Sequence, residues 1–294
     1  MSICVNTLKN TGISKCQINI QAIKKAILLP PDAAEFIGET AAEFTTWLKA
    51  GIQSENIINR FLVLPGFNGL TDNTDDPVED TDGYGHKRKI KDSEVSFSCT
   101  YDSNICLSKK LRALNNQKML VIFIDEKDNA FGVQTETGFT GFQCECWFSQ
   151  SKLPTDGKVQ RPVAYIGLLD VTEYQDEIDF ISMDWKQSAI NGLIDVVLTG
   201  TGAALAGSVT ITDECSGIDI TSTYSTLLAK KEAWKVDGTT PAADPTYASG
   251  KFTFTLTSGA HTIDLVDPAA LLALAVPVMG IESTGSVSVT ATAI

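Results

Sequence analysis

The sequence predicts a mainly β protein of two domains, the first carrying an α+β part at its N-terminal end. Three observations carry this. Short runs alternating apolar and polar residues recur along most of the chain, as in "EVSFSCTYD" and "GFQCECWFS". Apolar residues at helical spacing are confined to two stretches. Near Thr199 the texture changes: "TGTGAALAGS" is small and turn-rich, and beyond it charge thins while Thr and Ser rise. At 294 residues two domains are a natural division, expected here as residues 1–202 and 203–294.

Taken in order, "PDAAEFIGETAAEFTTWLKAG" predicts a helix. Asp32 would cap it, with Glu35 completing a capping box. Ile37, Ala41, Phe44 and Leu48 would share one face, and Gly51 would stop it. "IINRFLVLPG" predicts a strand ending at Pro65, and "EVSFSCTYD" a half-buried strand. "NICLSKKLRALNNQ" spaces Ile105, Leu107, Leu111 and Leu114 as a short helix lying on a sheet. "KMLVIFIDEKDNAFGVQT" predicts a hairpin turning at residues 126–129. "GFQCECWFS", "RPVAYIGLLDV", "DEIDFISMDW" and "GLIDVVLTG" complete the first set. Beyond the texture change, "GSVTITD", "IDITST", "KFTFTLTS", "HTIDLVD" and "GSVSVTATAI" space short strands as in an immunoglobulin-like sandwich of roughly ninety residues.

Composition narrows the function. The net charge of −13 repels nucleic acid, which argues against sequence-specific DNA binding. It suits a surface past which DNA slides without sticking. The start "MSICVNTLKN" lacks a basic segment followed by an apolar core, so no signal peptide is expected. The apolar run "LLALAVPVMGI" (residues 271–281) is too short to span a bilayer, and no membrane span is expected. Seven cysteines, Cys4, Cys16, Cys99, Cys106, Cys144, Cys146 and Cys215, are therefore expected as reduced thiols. Cys144 and Cys146 read as small apolar residues on one strand face, not as half of a zinc set.

One stretch stands apart. "TDNTDDPVEDTDGYGHKRKIK" places six acids, Asp72, Asp75, Asp76, Glu79, Asp80 and Asp82, before four bases, Lys87, Arg88, Lys89 and Lys91. Its acids break EF-hand spacing, Pro77 interrupts them, and its glycines do not form a phosphate loop. The two histidines, His86 and His261, stand beside no recognisable nucleophile. Asp125 and Asp184 are the candidates for hydrolytic carboxylates, although each falls at a turn or strand end. No catalytic, metal-binding or cofactor-binding set emerges, and the chain is expected not to be an enzyme. Trp147, Trp185, Trp234 and Tyr247 are the aromatics that would stack on sugars if the chain were an adhesive module.

The order of elements from "RFLVLPG" through the polar loop, "EVSFSCTYD", the short helix and the "MLVIFIDEKDNAFGVQ" hairpin resembles the tail tube proteins of tailed bacteriophages, over roughly residues 55–200. The C-terminal part resembles the immunoglobulin-like decorations of virions. The resemblance implies a β-sandwich or barrel with flanking helices, six-fold rings that stack around a DNA channel, and a virion location after assembly in the host cytoplasm. The N-terminal fifty residues exceed what a simple tube subunit needs. A head–tail connector, ring or baseplate subunit shares the same look. On this reading the split-charge stretch forms an inter-ring loop, its acids meeting a basic patch on the next copy. Glu145, Glu173, Asp176 and Glu177 are the acids expected to line the channel. Other copies and other tail or connector proteins are the expected partners.

Overall fold

The computed structural model describes residues 22–102, 105–150, 161–274 and 280–293. Cys4, Cys16 and the middle of the 271–281 run fall outside them. The chain divides into two compact units. The first runs to Asn191 without residues 53–55, and the second comprises those three residues and everything from Gly192 onward.

The first unit opens with β1 (Ile23–Leu29), α1 (Ala41–Ile52), β2 (Leu62–Val63), β3 (Phe67–Asp72), β4 (Val78–Thr81), β5 (Lys87–Lys91) and β6 (Ser96–Tyr101). It continues with α2 (Ile105–Arg112), β7 (Gln117–Asp125), β8 (Asn129–Gln134), β9 (Phe139–Thr140), β10 (Phe142–Phe148), β11 (Val163–Leu168), α3 (Val171–Gln175) and β12 (Ile178–Ser182). One sheet runs β12-β8-β7-β10-β11-β6-β3, with β1 joined to β7 and β2, and β9 joined to β8. β4 and β5 pair only with each other.

The strands explain their own sequences. "MLVIFI" shows no alternation because β7 is covered on both faces. Met119, Val121 and Phe123 join a core with Phe97, Cys99, Phe142, Cys144 and Ile166. Leu120, Ile122 and Ile124 join another with Phe44, Leu48 and Phe139. β1 is divided the same way, Ala26 and Leu28 against Ile27 and Leu29, so β1 and β7 together wall the two cores apart. β10 has one covered face: Phe142, Cys144, Cys146 and Phe148 are buried while Gln143, Glu145 and Trp147 are exposed, as the alternation predicts. The sheet does not close into a barrel; β3 ends it, paired only with β6 among the described residues.

The first helix begins later than its spacing predicts. Phe36 is extended and exchanges backbone hydrogen bonds with Phe139 (2.9 and 3.0 Å), so the helix starts only at Ala41. The capping box is Thr40 with Glu43, not Asp32 with Glu35. Glu43 N–H donates to Thr40 Oγ1 at 3.2 Å, and Thr40 N–H donates to Glu43 Oε2 at 3.0 Å. Glu35 instead accepts from the Thr135 and Thr137 hydroxyls at 2.7 and 2.6 Å. Ile37, expected on the apolar face, is exposed, whereas Phe44 and Leu48 are buried.

The second unit contains β13 (Ile194–Ala203), β14 (Ala206–Asp213), β15 (Trp234–Val236), β16 (Thr246–Ala248), β17 (Lys251–Thr255), β18 (Gly259–Leu265), α4 (Pro268–Leu272), β19 (Ile281–Ser283) and β20 (Val287–Ala291). Two sheets, β16-β17-β14-β13-β19 and β15-β18-β20, share one core. Val209, Ile211, Phe252 and Phe254 of the first meet Trp234, Ile263, Leu265 and Val289 of the second. The boundary expected after residue 202 is corrected to Gly192. β13 and β14 form one hairpin, in register from Val196↔Asp213 to Ala203↔Ala206, so "TGTGAALAGS" ends a hairpin and does not link domains. "IDITST" is not a strand. Asp219 Oδ1 accepts from Thr221 N–H and Oγ1–H at 2.8 and 2.5 Å, and these local bonds favour a tight 3-10 turn at Thr221–Tyr224.

Cys99, Cys144 and Cys146 are free and buried. Cys106 and Cys215 are each disulfide-bonded, which corrects the expectation of uniformly reduced thiols.

Candidate functional site

The acidic and basic blocks are the two strands of one hairpin. Glu79 lies opposite Lys89, Asp80 opposite Arg88 and Thr81 opposite Lys87. Lys87 Nζ donates to Glu79 Oε2 at 2.9 Å, and Arg88 donates to Asp80 Oδ2 at 3.0 Å. Lys89 pairs with Asp92 and Lys91 with Glu94. Two ion pairs therefore join the blocks across the arm, while Lys89 and Lys91 are paired beyond the acidic block. Asp72 and Asp75 anchor the root. Asp72 Oδ1 accepts from Thr74 N–H at 2.9 Å, and Asp75 N–H donates to the Glu94 carbonyl at 3.2 Å. Asp76 is exposed.

The tip is held by Asp82. Its Oδ1 accepts the backbone N–H groups of His86 and Tyr84, each at 2.9 Å, and Gly85 takes the positive φ of 85° that the turn requires. These N–H donors, His86 first, hold the Asp82 carboxyl below the usual carboxylate range. Pleating puts Val78, Asp80, Arg88 and Ile90 on one face of the arm. Val78, Ile90 and Tyr84 are 51, 63 and 91% exposed.

The four expected channel acids do not form one set. Glu145 is exposed on β10, across from Lys118. Glu173 is buried and accepts Gln143 N–H and Nε2–H, both at 2.8 Å, so it fixes α3 to β10. Asp176 is exposed and caps the end of α3, its N–H donating to the Thr172 carbonyl. Glu177 is exposed, and with Glu173, Glu35 and Lys118 it lines a polar concavity of about 470 Å³.

The hydrolase candidates are occupied by structural work. Asp125 is fully buried and accepts from the N–H groups of Lys127 and Asn129 and from Asn129 Nδ2, which builds the β7–β8 turn. Asp184 accepts from the Thr45 hydroxyl. His86 reaches only Asp82, at 3.2 Å. Of the stacking candidates, Trp234 is buried, Tyr247 packs on Phe252 with ring centroids 5.3 Å apart, and Trp185 lies under the Lys49 ammonium. Trp147 is 46% exposed and lies against Tyr165, centroids 5.0 Å apart, on the open face of β10 and β11.

A second feature was not expected. Beside the root of the arm lies a cavity of about 370 Å³ walled by Phe67, Phe97, Phe123, Phe142 and Tyr174, with Lys24 and Asp72 as its charged members. The rings contact edge to face: Phe97 with Phe123 at 5.4 Å, Phe97 with Tyr174 at 6.0 Å and Phe142 with Tyr174 at 5.9 Å. Burial raises the Tyr174 hydroxyl above its ordinary range, with Asp72 adding to the effect. Alternation places Phe97 and Phe142 on the inner faces of β6 and β10, but nothing local brings them together with Phe67, Phe123 and Tyr174. Among the described residues, no three His, Cys, Asp or Glu side chains are grouped to hold a metal ion.

No protein family matches the chain, and no curated protein matches it.

Proposed function

We propose that the chain is a structural subunit of a bacteriophage virion that acts by associating with copies of itself, most simply as a tail tube-like protein. The observation that carries this is the arm. A two-stranded hairpin is marginal by itself in water, and this one exposes three large apolar side chains while each of its four bases is paired within it. Such an arm is built to be covered. A head-to-tail contact of this kind, repeated along an axis, generates stacked rings. In finer detail, the first unit would be the tube-like body, with the curled, unclosed sheet completing its pairing between subunits. The second would be an immunoglobulin-like decoration on the virion. The exposed acids Glu145, Asp176 and Glu177, within a net charge of −13, would keep passing DNA from sticking. A connector or baseplate position would use the same contact without long stacks.

Electron microscopy of the purified chain, with its mass in solution at rising concentration, tests this. Rings or tubes with a central opening are the expected result; a monomer at every concentration refutes it. One observation favours a different reading. The exposed Trp147–Tyr165 pair offers a ring surface to a sugar, and glycan binding by the monomer, abolished by Trp147→Ala, would mark an adhesive module instead.

A further inference from the structure

Resting on the self-association reading, we infer that Tyr84 of one copy seats in the aromatic pocket of a second copy. Tyr84 is the most exposed large apolar side chain among the described residues, at 91%. It is not loose: Asp82 accepts the N–H groups on both sides of Gly85, so the tip is locked with Tyr84 projecting. The tip backbone is thus fixed before docking, which spares part of the ordering cost.

The same chain carries the hole. Phe67, Phe97, Phe123 and Phe142 are each no more than 7% exposed, yet they wall a cavity of about 370 Å³. Apolar cavities hold water poorly, and this one has room for a tyrosine ring, which would add edge-to-face contacts to those already there. Its charged members complement the tip. Lys24 can meet the Asp82 carboxylate, and Asp72 can accept from the Tyr84 hydroxyl. β3 adds a further feature at the same place. Its outer edge pairs with nothing among the described residues, so an arriving arm also meets open backbone N–H and C=O groups.

The knob belongs to another copy's hole because the paired ladder keeps the tip away from the arm's own root. The pocket includes Asp72, at the arm's own root. The ladder from Val78↔Lys91 to Thr81↔Lys87 is four residues long on β4, which holds the tip roughly 10 Å or more from that root at the usual strand rise. While that ladder is paired, the tip points away from its own pocket.

The test uses the full chain with Tyr84→p-benzoylphenylalanine, mixed with an isotopically heavy copy and irradiated, with cross-links mapped by mass spectrometry. Light-to-heavy cross-links from position 84 to Phe67, Leu70, Phe97 or Tyr174 are expected. Tyr84→Ala should weaken self-association about thirtyfold or more, as loss of a buried aromatic anchor does, and Tyr84→Phe, which keeps the ring and loses only the bond to Asp72, should weaken it less. Cross-links that map elsewhere, or undiminished association of Tyr84→Ala, overturn the knob-and-hole contact while self-association stands. A native chain that stays monomeric at every concentration removes both.

Discussion

His261 Nδ1 lies 2.7 Å from Asp237 Oδ2, and the other ring nitrogen lies 3.0 Å from the Thr257 carbonyl oxygen. Both partners are acceptors, so the ring fulfils both contacts only by donating from both nitrogens, as imidazolium. Asp237 first, then Thr257, raise the histidine above its ordinary range, while the Thr262 N–H and then His261 lower the carboxyl of Asp237. The histidine's contribution is full below its unfolded value near 6.5 and is lost as pH rises through the raised native value. The carboxylate's contribution is present above its unfolded value near 3.8 and is lost as pH falls through the depressed native value. Thermal unfolding should therefore show stability declining as pH rises above about 6.5, a decline that His261→Gln flattens. An unchanged pH profile in that variant would show that the ring is not charged in the folded state.

Gly202 should tolerate no side chain. A Cβ there would lie 1.8 Å from the Thr290 carbonyl oxygen and 2.6 Å from its carbon, both backbone atoms of the opposing sheet. Gly202→Ala must push the sheets apart, and a loss of about 3 kcal/mol is expected. At Gly200 the nearest atoms are side-chain methyls of Val289 and Val287, at 2.5 and 2.9 Å. These can shift, so Gly200→Ala should cost about 1 kcal/mol. Denaturant midpoints of the two variants check the ordering.

Those glycines also show why the sequence misplaced the domain boundary. "TGTGAALAGS" has the composition of a flexible linker, yet Gly200 and Gly202 are small because β20 crosses close above them, and Gly207 because a Leu256 methyl does. Composition alone cannot tell a linker from a close backbone approach. β7 and β10 were legible because each pattern has a single cause, burial on two faces or on one. The first helix was half legible. Phe44 and Leu48 carry its period, but Phe36 has a strand-like partner 103 residues away, which local spacing cannot reveal. Similarly, the sequence separated acids from bases in the arm, but only the register shows that Asp80 faces Arg88. The aromatic pocket was not legible, since its rings come from β3, β6, β7, β10 and α3.

The capping box makes a local prediction. Thr40→Ala removes the hydroxyl that accepts from Glu43 N–H and donates to its carboxylate at 2.9 Å. A loss of about 1 kcal/mol is expected, with Thr40→Ser retaining most of the stability. Equal losses for both variants would place the effect in the Thr40 methyl group and not in the cap.

The cysteines should divide chemically. Burial pushes Cys99 up to about 12, and the contact with Cys146 followed by burial pushes Cys144 up as well. Thiolate is the reactive form, so alkylation of the native chain should leave Cys99, Cys144 and Cys146 unmodified. Denaturation without reductant should expose those three, while Cys106 and Cys215 require reduction first. Site-resolved mass spectrometry reads each position separately, and native labelling at Cys99 or Cys144 would contradict their burial.

The arm's charges can be tested by exchanging them. Arg88 and Asp80 are a cross-strand pair, 75 and 42% exposed at the side chain, and such a pair is worth at most about 1 kcal/mol. Arg88→Asp alone puts two carboxylates face to face and should loosen the arm, raising amide exchange along β4 and β5 while barely moving the melting temperature of the core. Combining it with Asp80→Arg restores one cation opposite one anion in the opposite order. If the pair acts within the arm, the double variant regains both slow exchange and self-association. If this pair meets fixed charges on another copy, the double variant recovers its hairpin but still fails to associate, because its inverted charges then face like charges across the contact. The close internal geometry of Asp80 with Arg88, and of Glu79 with Lys87, favours recovery of both.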